Sequence, residues 1–350
     1  MKLTMDQEKK LVGAFLDKIG VPEDDAVIVR DLISHSDFTG VYSHGLSRFI
    51  GYLKQFETGA INKAPKIKPV NQFGAVVTYD CDHASGLVAV NRVYDDVVER
   101  AKEHGIAIGA AFNASNIGCG SYYAWRAAKD NMLAILMCNT RPSMAPFGGA
   151  DKLLGTNPIV MASPAGEEYP MILDISTSVV AMGKVISYRR EGKEMPLGWA
   201  NDINGVPTTD AKEAYAVTPI GSYKGSGLAM FVEIFSGLLT GANFSYQIKT
   251  TEAAPCEDTG FSLILVDIYK FMPIEEYKKR ADEFIHDIKN SKKATGVKEI
   301  FMPGELEFKL HEKSLMEGLD VSDATCEELR QAAVKWGMLG ENEPLSKLYE

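Results

Sequence analysis

The segment Tyr42-Ser43-His44-Gly45-Leu46-Ser47-Arg48, with Tyr52 one helical turn beyond it, gathers a hydroxyl, an imidazole, a guanidinium and a phenol in a short length of chain. An imidazole exchanges protons near neutral pH and suits protonation of a carbonyl under reduction. A guanidinium grips a carboxylate through two parallel hydrogen bonds. A helix from Gly45 to Thr58 sets Arg48 and Tyr52 one turn apart on a single face. The same residues also read as an ordinary helix N-terminus capped by Ser43, with surface charge beyond it. Local sequence leaves both readings open.

The elements around this segment follow from periodicity. Thr4 and Gln7 form a capping box, Leu11, Val12, Phe15, Leu16 and Ile19 recur at helical spacing, and Gly20 stops that helix. Pro22 opens a second helix that runs to about Asp37, and the helix after Ser43 ends near Gly59, so the first 60 residues read as a helical unit. Beyond it the pattern changes. Ala75 to Tyr79, Ile106 to Phe112, Met132 to Met137 and Ser262 to Asp267 are strand-like. Asn91 to His104, Ser121 to Lys129, Leu228 to Leu239 (apolar, expected buried) and Glu275 to Lys293 are helical. Strands alternating with helices predict an α/β domain. Between Pro142 and Asp210 glycine and proline are frequent, which predicts long ordered loops able to form a site. Thr325 and Glu328 suggest a capping box for helices in the last 25 residues.

Composition narrows the function. With 350 residues, 45% hydrophobic and 24% charged, the chain has an ordinary globular makeup and length for a large core. A net charge of -10 argues against a nucleic-acid surface and requires any anionic ligand to be met by local cations. Five scattered cysteines, none in C-x-x-C spacing, point away from a disulfide framework or zinc site and toward a reducing cytoplasm. There is no apolar N-terminal leader pattern and no run of about 18 apolar residues, so no membrane association is expected.

Several glycine-rich stretches are candidate ligand loops. Gly221-Ser222-Tyr223-Lys224-Gly225-Ser226-Gly227 is the best phosphate cradle, with backbone N–H groups and one lysine ahead of an apolar helix; a plain glycine turn with a surface lysine is the alternative. Pro146-Phe147-Gly148-Gly149 and Leu154-Gly155-Thr156-Asn157-Pro158 form a second pair, also readable as turn chemistry. Asp174-Ile175-Ser176 ends a strand-like run, where the carboxylate could bond a ribose, orient a histidine or cap the next helix. No G-x-G-x-x-G follows a strand: Gly118-Cys119-Gly120-Ser121-Tyr122-Tyr123 lacks the last glycine, and no P-loop occurs. Neither a metal-ligand spacing nor a G-x-S-x-G elbow is present. Of the six histidines, His35, His83, His104, His286 and His311 read as structural or surface residues.

In order, Ser43-His44-Gly45 with Arg48, the Pro146–Pro158 loop, Asp174 with Ser178, Pro196 to Asp202, Gly205 to Asp210, Lys224 to Gly227, Gly237 to Ala242 and Pro303-Gly304-Glu305 resemble the malate/L-lactate dehydrogenase family that lacks a Rossmann fold. That family includes malate, ureidoglycolate and sulfolactate dehydrogenases and diketogulonate reductase. The resemblance implies an α/β fold with a non-Rossmann mixed-sheet NAD(P)-binding domain, flanking helices and a helical N-/C-terminal unit. It leads us to expect a helical unit over 1–70 packing with 305–350, and a mixed α/β cofactor-binding region over 71–304. It further implies an NAD- or NADP-dependent homodimer, interconverting small 2-hydroxy and 2-oxo acids. Ser43, His44, Arg48 and Tyr52 would line the substrate pocket. Thr140, Pro146, Gly148, Gly149, Thr156, Asn157, Asp174, Ile175, Ser176, Lys224, Gly304 and Glu305 would meet the cofactor.

Departures from the family pattern sharpen the expectation. Ala114-Ser115-Asn116-Ile117-Gly118 stands where the family commonly carries a Ser-Asn-His-Phe-Gly-type motif, so Asn116 replaces a histidine assigned there as catalytic. An amide polarises a carbonyl but exchanges no proton near pH 7. Acid/base work then falls to His44 with Asn116 polarising the carbonyl, or activity is altered or lost. Tyr42 replaces a frequent acidic residue, Phe261 a frequent histidine, and Arg141 adds a cation suited to a dicarboxylic or sulfonated substrate, or else lies on the surface. Two alternatives keep the fold: a cyclic imino-acid reductase, and a degenerate dinucleotide-binding homologue.

Overall fold

The computed structural model describes residues 1–248 and 256–350. Strand β1 (Lys2–Leu3) leads into helix α1 (Met5–Ile19), whose Thr4–Gln7 capping box forms in full. One stripe of α1 is buried, with Leu11, Val12, Phe15 and Leu16 at most 0% exposed, each contributing about 1.5–3 kcal/mol of apolar burial. Helices α2 (Glu23–Phe38) and α3 (Leu46–Thr58) complete the predicted trio, and a single 3₁₀ turn over Tyr42–His44 joins them.

Seven strands form the main sheet. They are β2 (Lys68–Phe73), β3 (Val76–Ala84), β4 (Ile106–Ala114), β5 (Met132–Cys138), β6 (Ile159–Ser163), β7 (Met171–Ile175) and, from far along the chain, the strand Thr259–Asp267. The last of these lies between β4 and β5 and is antiparallel to both, while β3 and β4 are parallel. The sheet is therefore mixed, and the α/β expectation holds. The largest core runs without a break from the N-terminal helices into this sheet.

Helix α4 (Gly86–His104) begins a turn and a half before the sequence pattern suggests. Ser85 caps it, and Gly86 sits so close to the following loop that a β-carbon there would lie 2.3 Å from the Ser115 carbonyl oxygen. Here glycine reflects close approach, not a break. Helix α5 (Gly120–Lys129) follows β4.

The region expected to be loops has its own structure. It contains helix α6 (Met182–Glu191) and a three-stranded sheet of β8 (Ala200–Asn201), β9 (Pro207–Thr208) and β10 (Ala216–Val217). A second core of Met144, Leu154, Val180, Val185, Met195, Ala200 and Val217 holds it together. These strands are two residues long, too short to leave a period in the sequence.

Helix α7 (Tyr223–Glu233) continues into a π-type turn over Ile234–Leu238. The expectation of a buried helix here fails: Leu228, Phe231, Ile234, Leu238 and Leu239 are exposed on this chain. The central strand β11 (Thr259–Asp267) precedes α8 (Ile274–Lys289) and α9 (Glu305–Glu317). Strand β12 (Leu319–Asp320) pairs with β1, and α10 (Asp323–Lys335) follows. The cap of α10 is Ser322, which accepts the Thr325 N–H, so the capping residue lies three positions earlier than the sequence pattern suggests.

Candidate active site

The α2–α3 junction is shaped by one carboxylate. Asp37 Oδ2 accepts the Leu46 N–H at 2.6 Å, satisfying a free donor at the start of α3. Gly45 has no side chain because that carboxyl occupies its place: a β-carbon would lie 2.0 Å from Asp37 Cγ. This clamp fixes the turn that carries Ser43 and His44 and the helix that carries Arg48 and Tyr52.

Beside it, a cavity of about 460 Å³ is lined by His44, Asn116, Thr140, Thr156, Asp174, Ser176 and Gly304, among others. His44 Nδ1 and Ser43 Oγ are 3.0 Å apart, which leaves Nε2 for the cavity. Burial, and then the Arg48 charge, hold the His44 pKa down to about 4, so the ring is neutral at pH 7. In the tautomer whose Nδ1–H donates to Ser43 Oγ, Nε2 carries the lone pair of a general base. Arg48 is exposed, its guanidinium 5.5 Å from the centre of the Tyr52 ring. Burial pushes Tyr52 up to about 12, so it remains a donor.

Tyr52 donates to Asn116 Oδ1 at 3.2 Å, and the Gly118 N–H donates to the same oxygen at 2.9 Å. Two donors on the oxygen fix the amide and leave Nδ2 as a donor for a ligand. Of the expected set, His44 and Asn116 line the cavity, while Ser43, Tyr52 and Arg48 do not and connect to them from behind: Ser43 to His44, Tyr52 to Asn116, and Arg48 over the Tyr52 ring.

Asp174 caps α5 from the opposite wall, accepting the Ser121 N–H at 2.8 Å. Of the three roles its sequence context allowed, capping is realised, but on a helix more than fifty residues earlier in the chain. Its pKa is raised to about 6 by surrounding protein, offset by the Ser121 and Gly120 amides. The side chain is nonetheless open to cavity water, as befits a carboxylate on a concave wall. His35, read from sequence as structural, also lines the cavity, with Nε2 3.2 Å from Ser121 Oγ and its pKa lowered to about 3 by burial. Its signal was faint: it lies in the helix that also supplies Asp37.

A second concavity of about 500 Å³ contains Pro146, Gly148, Gly149, Gly205, Thr218, Gly221 and Ser222. The Phe147 N–H donates to Ser226 Oγ at 3.0 Å, tying the two glycine loops together. Ser176 and Ala181 face the first cavity and Val179 the second, so one short segment borders both. Lys224 is exposed on the first turn of α7, just past the Gly221–Ser222 wall.

Three further expected residues line neither concavity. Asn157 is buried, its Nδ2 donating to Ala229 O at 3.0 Å and Glu233 Oε1 at 2.9 Å while its Oδ1 accepts the Thr140 N–H at 3.1 Å. It orients Thr140 from behind. Glu305 is held by Lys289 at 2.6 Å and Lys309 at 2.7 Å, which keep its carboxyl near a pKa of about 2. Only its neighbour Gly304 lines the cavity. Arg141 pairs with Glu257 through Nε at 2.7 Å. Phe261 is fully buried in the core, which explains an apolar residue there.

The donor set suits a dinucleotide. Open backbone turns and hydroxyls in the second concavity fit phosphates and ribose, and the first cavity offers space beside His44. Among the described residues no group of three or more His, Cys, Asp or Glu side chains is arranged to hold a metal. Likewise no described helix is long and apolar enough to cross a membrane.

Known proteins resemble this chain along most of its length. Malate dehydrogenase of Pyrococcus horikoshii is 36% identical, covering 97% of each chain. The structure of sulfolactate dehydrogenase from Methanocaldococcus jannaschii superposes with a TM-score of 0.91 at 35% identity, covering 100% of both chains. The delta1-piperideine-2-carboxylate reductase of Pseudomonas syringae pvar. tomato superposes at 0.86 with 25% identity, covering 95% of this chain and 99% of that one. Since residues 3–330 also match the family described as Malate/L-lactate dehydrogenase, the chain belongs to that family.

Proposed function

We propose that this NAD(P)-dependent 2-hydroxy-acid dehydrogenase interconverts a small 2-hydroxy acid and its 2-oxo acid, of the malate or sulfolactate kind, with His44 as acid/base and Arg48 as carboxylate clamp. The observation that supports the reading is that His44 and Asn116 line one cavity, with Tyr52 bonded to Asn116 and Arg48 over the Tyr52 ring just behind that wall.

The bound nicotinamide supplies the hydride acceptor or donor. The chain supplies the rest. Arg48 binds the substrate carboxylate and in doing so neutralises a charge that depresses His44. Substrate binding therefore raises the His44 pKa and readies Nε2 to take the hydroxyl proton, or to return one to a carbonyl. Asn116 Nδ2 donates to the same substrate oxygen. Thr140, Thr156, Asp174, Ile175, Ser176 and Gly304 would hold the cofactor on the first cavity's side, and Pro146, Gly148, Gly149 and Lys224 on the second.

The test is a panel of oxo acids (monocarboxylic, dicarboxylic and sulfonated) with NADH and NADPH, followed at the reduced-nicotinamide absorbance in wild type and His44→Ala. Undiminished turnover in the variant sinks the assignment.

A second reading, reduction of a cyclic imino acid, has two supports: the imine-reductase neighbour and Asn116. An iminium arrives already protonated and needs less help from an acid. It predicts faster turnover of a cyclic imino acid than of any oxo acid on the panel. The exposed apolar face of α7 and the π-type turn that continues it, with Leu228, Phe231, Ile234 and Leu238, supports a homodimer built on that face. Light scattering on wild type and Phe231→Glu tests it, with a monomeric wild type as the refuting result.

A further inference from the structure

Glu8 falls in phase with Leu11, Val12, Phe15 and Leu16 on the buried stripe of α1, and it is 0% exposed. Neither of its carboxyl oxygens has a hydrogen-bond donor among the described residues, and the buried Ser34 Oγ beside it is likewise unpartnered. The acceptor within reach is the carboxyl of Asp37, the clamp beneath Gly45. A fully buried carboxylate without donors is strongly disfavoured, and two touching carboxylates cannot both be ionised.

We propose that Glu8 is a positioning residue of the active site: as a neutral acid it donates its O–H to the Asp37 carboxylate, which in turn holds Gly45 and Leu46 and so the His44–Arg48 segment. The assignment of the proton follows from geometry. Both carboxyls lie near a helix N-terminus, but Asp37 accepts the Leu46 N–H at 2.6 Å, which favours its charge, whereas neither Glu8 oxygen has a donor among the described residues. The titration directions agree. Glu8 is raised well above the usual carboxylate range by burial and by Asp37, while the bonds from Glu8 and Leu46 moderate the rise at Asp37. The groups facing the pair are Ser34 of α2 and Lys9 of α1, the latter ion-paired with Asp31 at 2.8 Å.

This deepens the reading of His44 as acid/base and rests on it, so the test has an arm independent of turnover. The probes are Glu8→Gln, which keeps a neutral donor of the same shape, and Glu8→Leu, which keeps the packing and removes the donor. In wild type at about pH 8 a protonated-carboxyl C=O infrared band that shifts in D₂O is expected, and it is absent in both variants. With an accepted substrate, Glu8→Gln keeps kcat within about twofold. Glu8→Leu lowers kcat about tenfold or more with the cofactor KM unchanged. The proposal is overturned if the wild-type band is missing or survives Glu8→Gln, if Glu8→Gln fails to fold, or if Glu8→Leu turns over like wild type. An enzyme inactive on every substrate but showing the band refutes the functional reading alone.

Discussion

The two concavities are built from different material. The first is walled by side chains with individual chemistry, namely His44, Asn116, Asp174 and His35, each oriented by a named hydrogen bond. The second is walled largely by glycine turns, prolines and small hydroxyls, where backbone does the contacting. A wall of side chains is tuned by deletion, because each group carries a charge or a proton. A wall of backbone is insensitive to deletion and sensitive to addition, because any new atom occupies ligand space.

Substitutions can break or sharpen this contrast. The largest effect is expected from His44→Ala: kcat falls about 10²- to 10⁴-fold, while cofactor affinity by fluorescence titration stays within about twofold of wild type. Arg48→Gln should raise substrate KM about 10- to 100-fold, as loss of a charge-assisted pair implies. In hydroxy-acid oxidation the wild-type rate constant kcat/KM falls as pH drops through about 4, where His44 becomes protonated. Without the Arg48 charge that acid limb moves upward toward the ordinary histidine value of 6.5, though not fully, because burial is the larger cause. An unmoved limb would separate Arg48 from His44.

Gly45→Ala is an addition on the side-chain wall. With its new carbon 2.0 Å from Asp37 Cγ, it should destabilise by about 1–3 kcal/mol in a denaturant titration. In the second concavity Gly148→Val should weaken cofactor binding several-fold and leave the acid limb untouched. A shifted limb there would mean that the two regions are not chemically separate. The smallest effect is expected from Glu305→Gln, about 1–2 kcal/mol of stability from lost hydrogen bonds. The Glu305 pKa is depressed, so its contribution is present above pH 4.5 and fades as pH falls toward about 2.

How much was legible follows the same division. The helices α1 to α3 showed in the sequence because their apolar stripes, capping box and glycine stops are local signals. The Ser43–Arg48 motif and Asn116 were legible as chemistry, and the fold brings them together. What the sequence hid is long-range pairing. Nothing local marks Glu8 until Asp37 is found beside it, and of the roles open to Asp174 the one realised is a cap on α5, which no local signal names. His35 reads as a helix residue because nothing local says that Ser121 faces it. The apolar run at α7 reads as core, since period alone cannot tell a protein interior from an exposed apolar face.

The place of β11 has a consequence for how the chain is made. Its neighbours β4 and β5 end by residue 138, yet the strand that joins them is residues 259–267. At about 5–20 residues per second of synthesis, both half-sheets leave the ribosome with an open, apolar inner edge and wait many seconds for closure. Such edges template pairing with other chains. The nascent protein is therefore most exposed to aggregation between these two points, and chaperone demand should end abruptly once Asp267 has emerged.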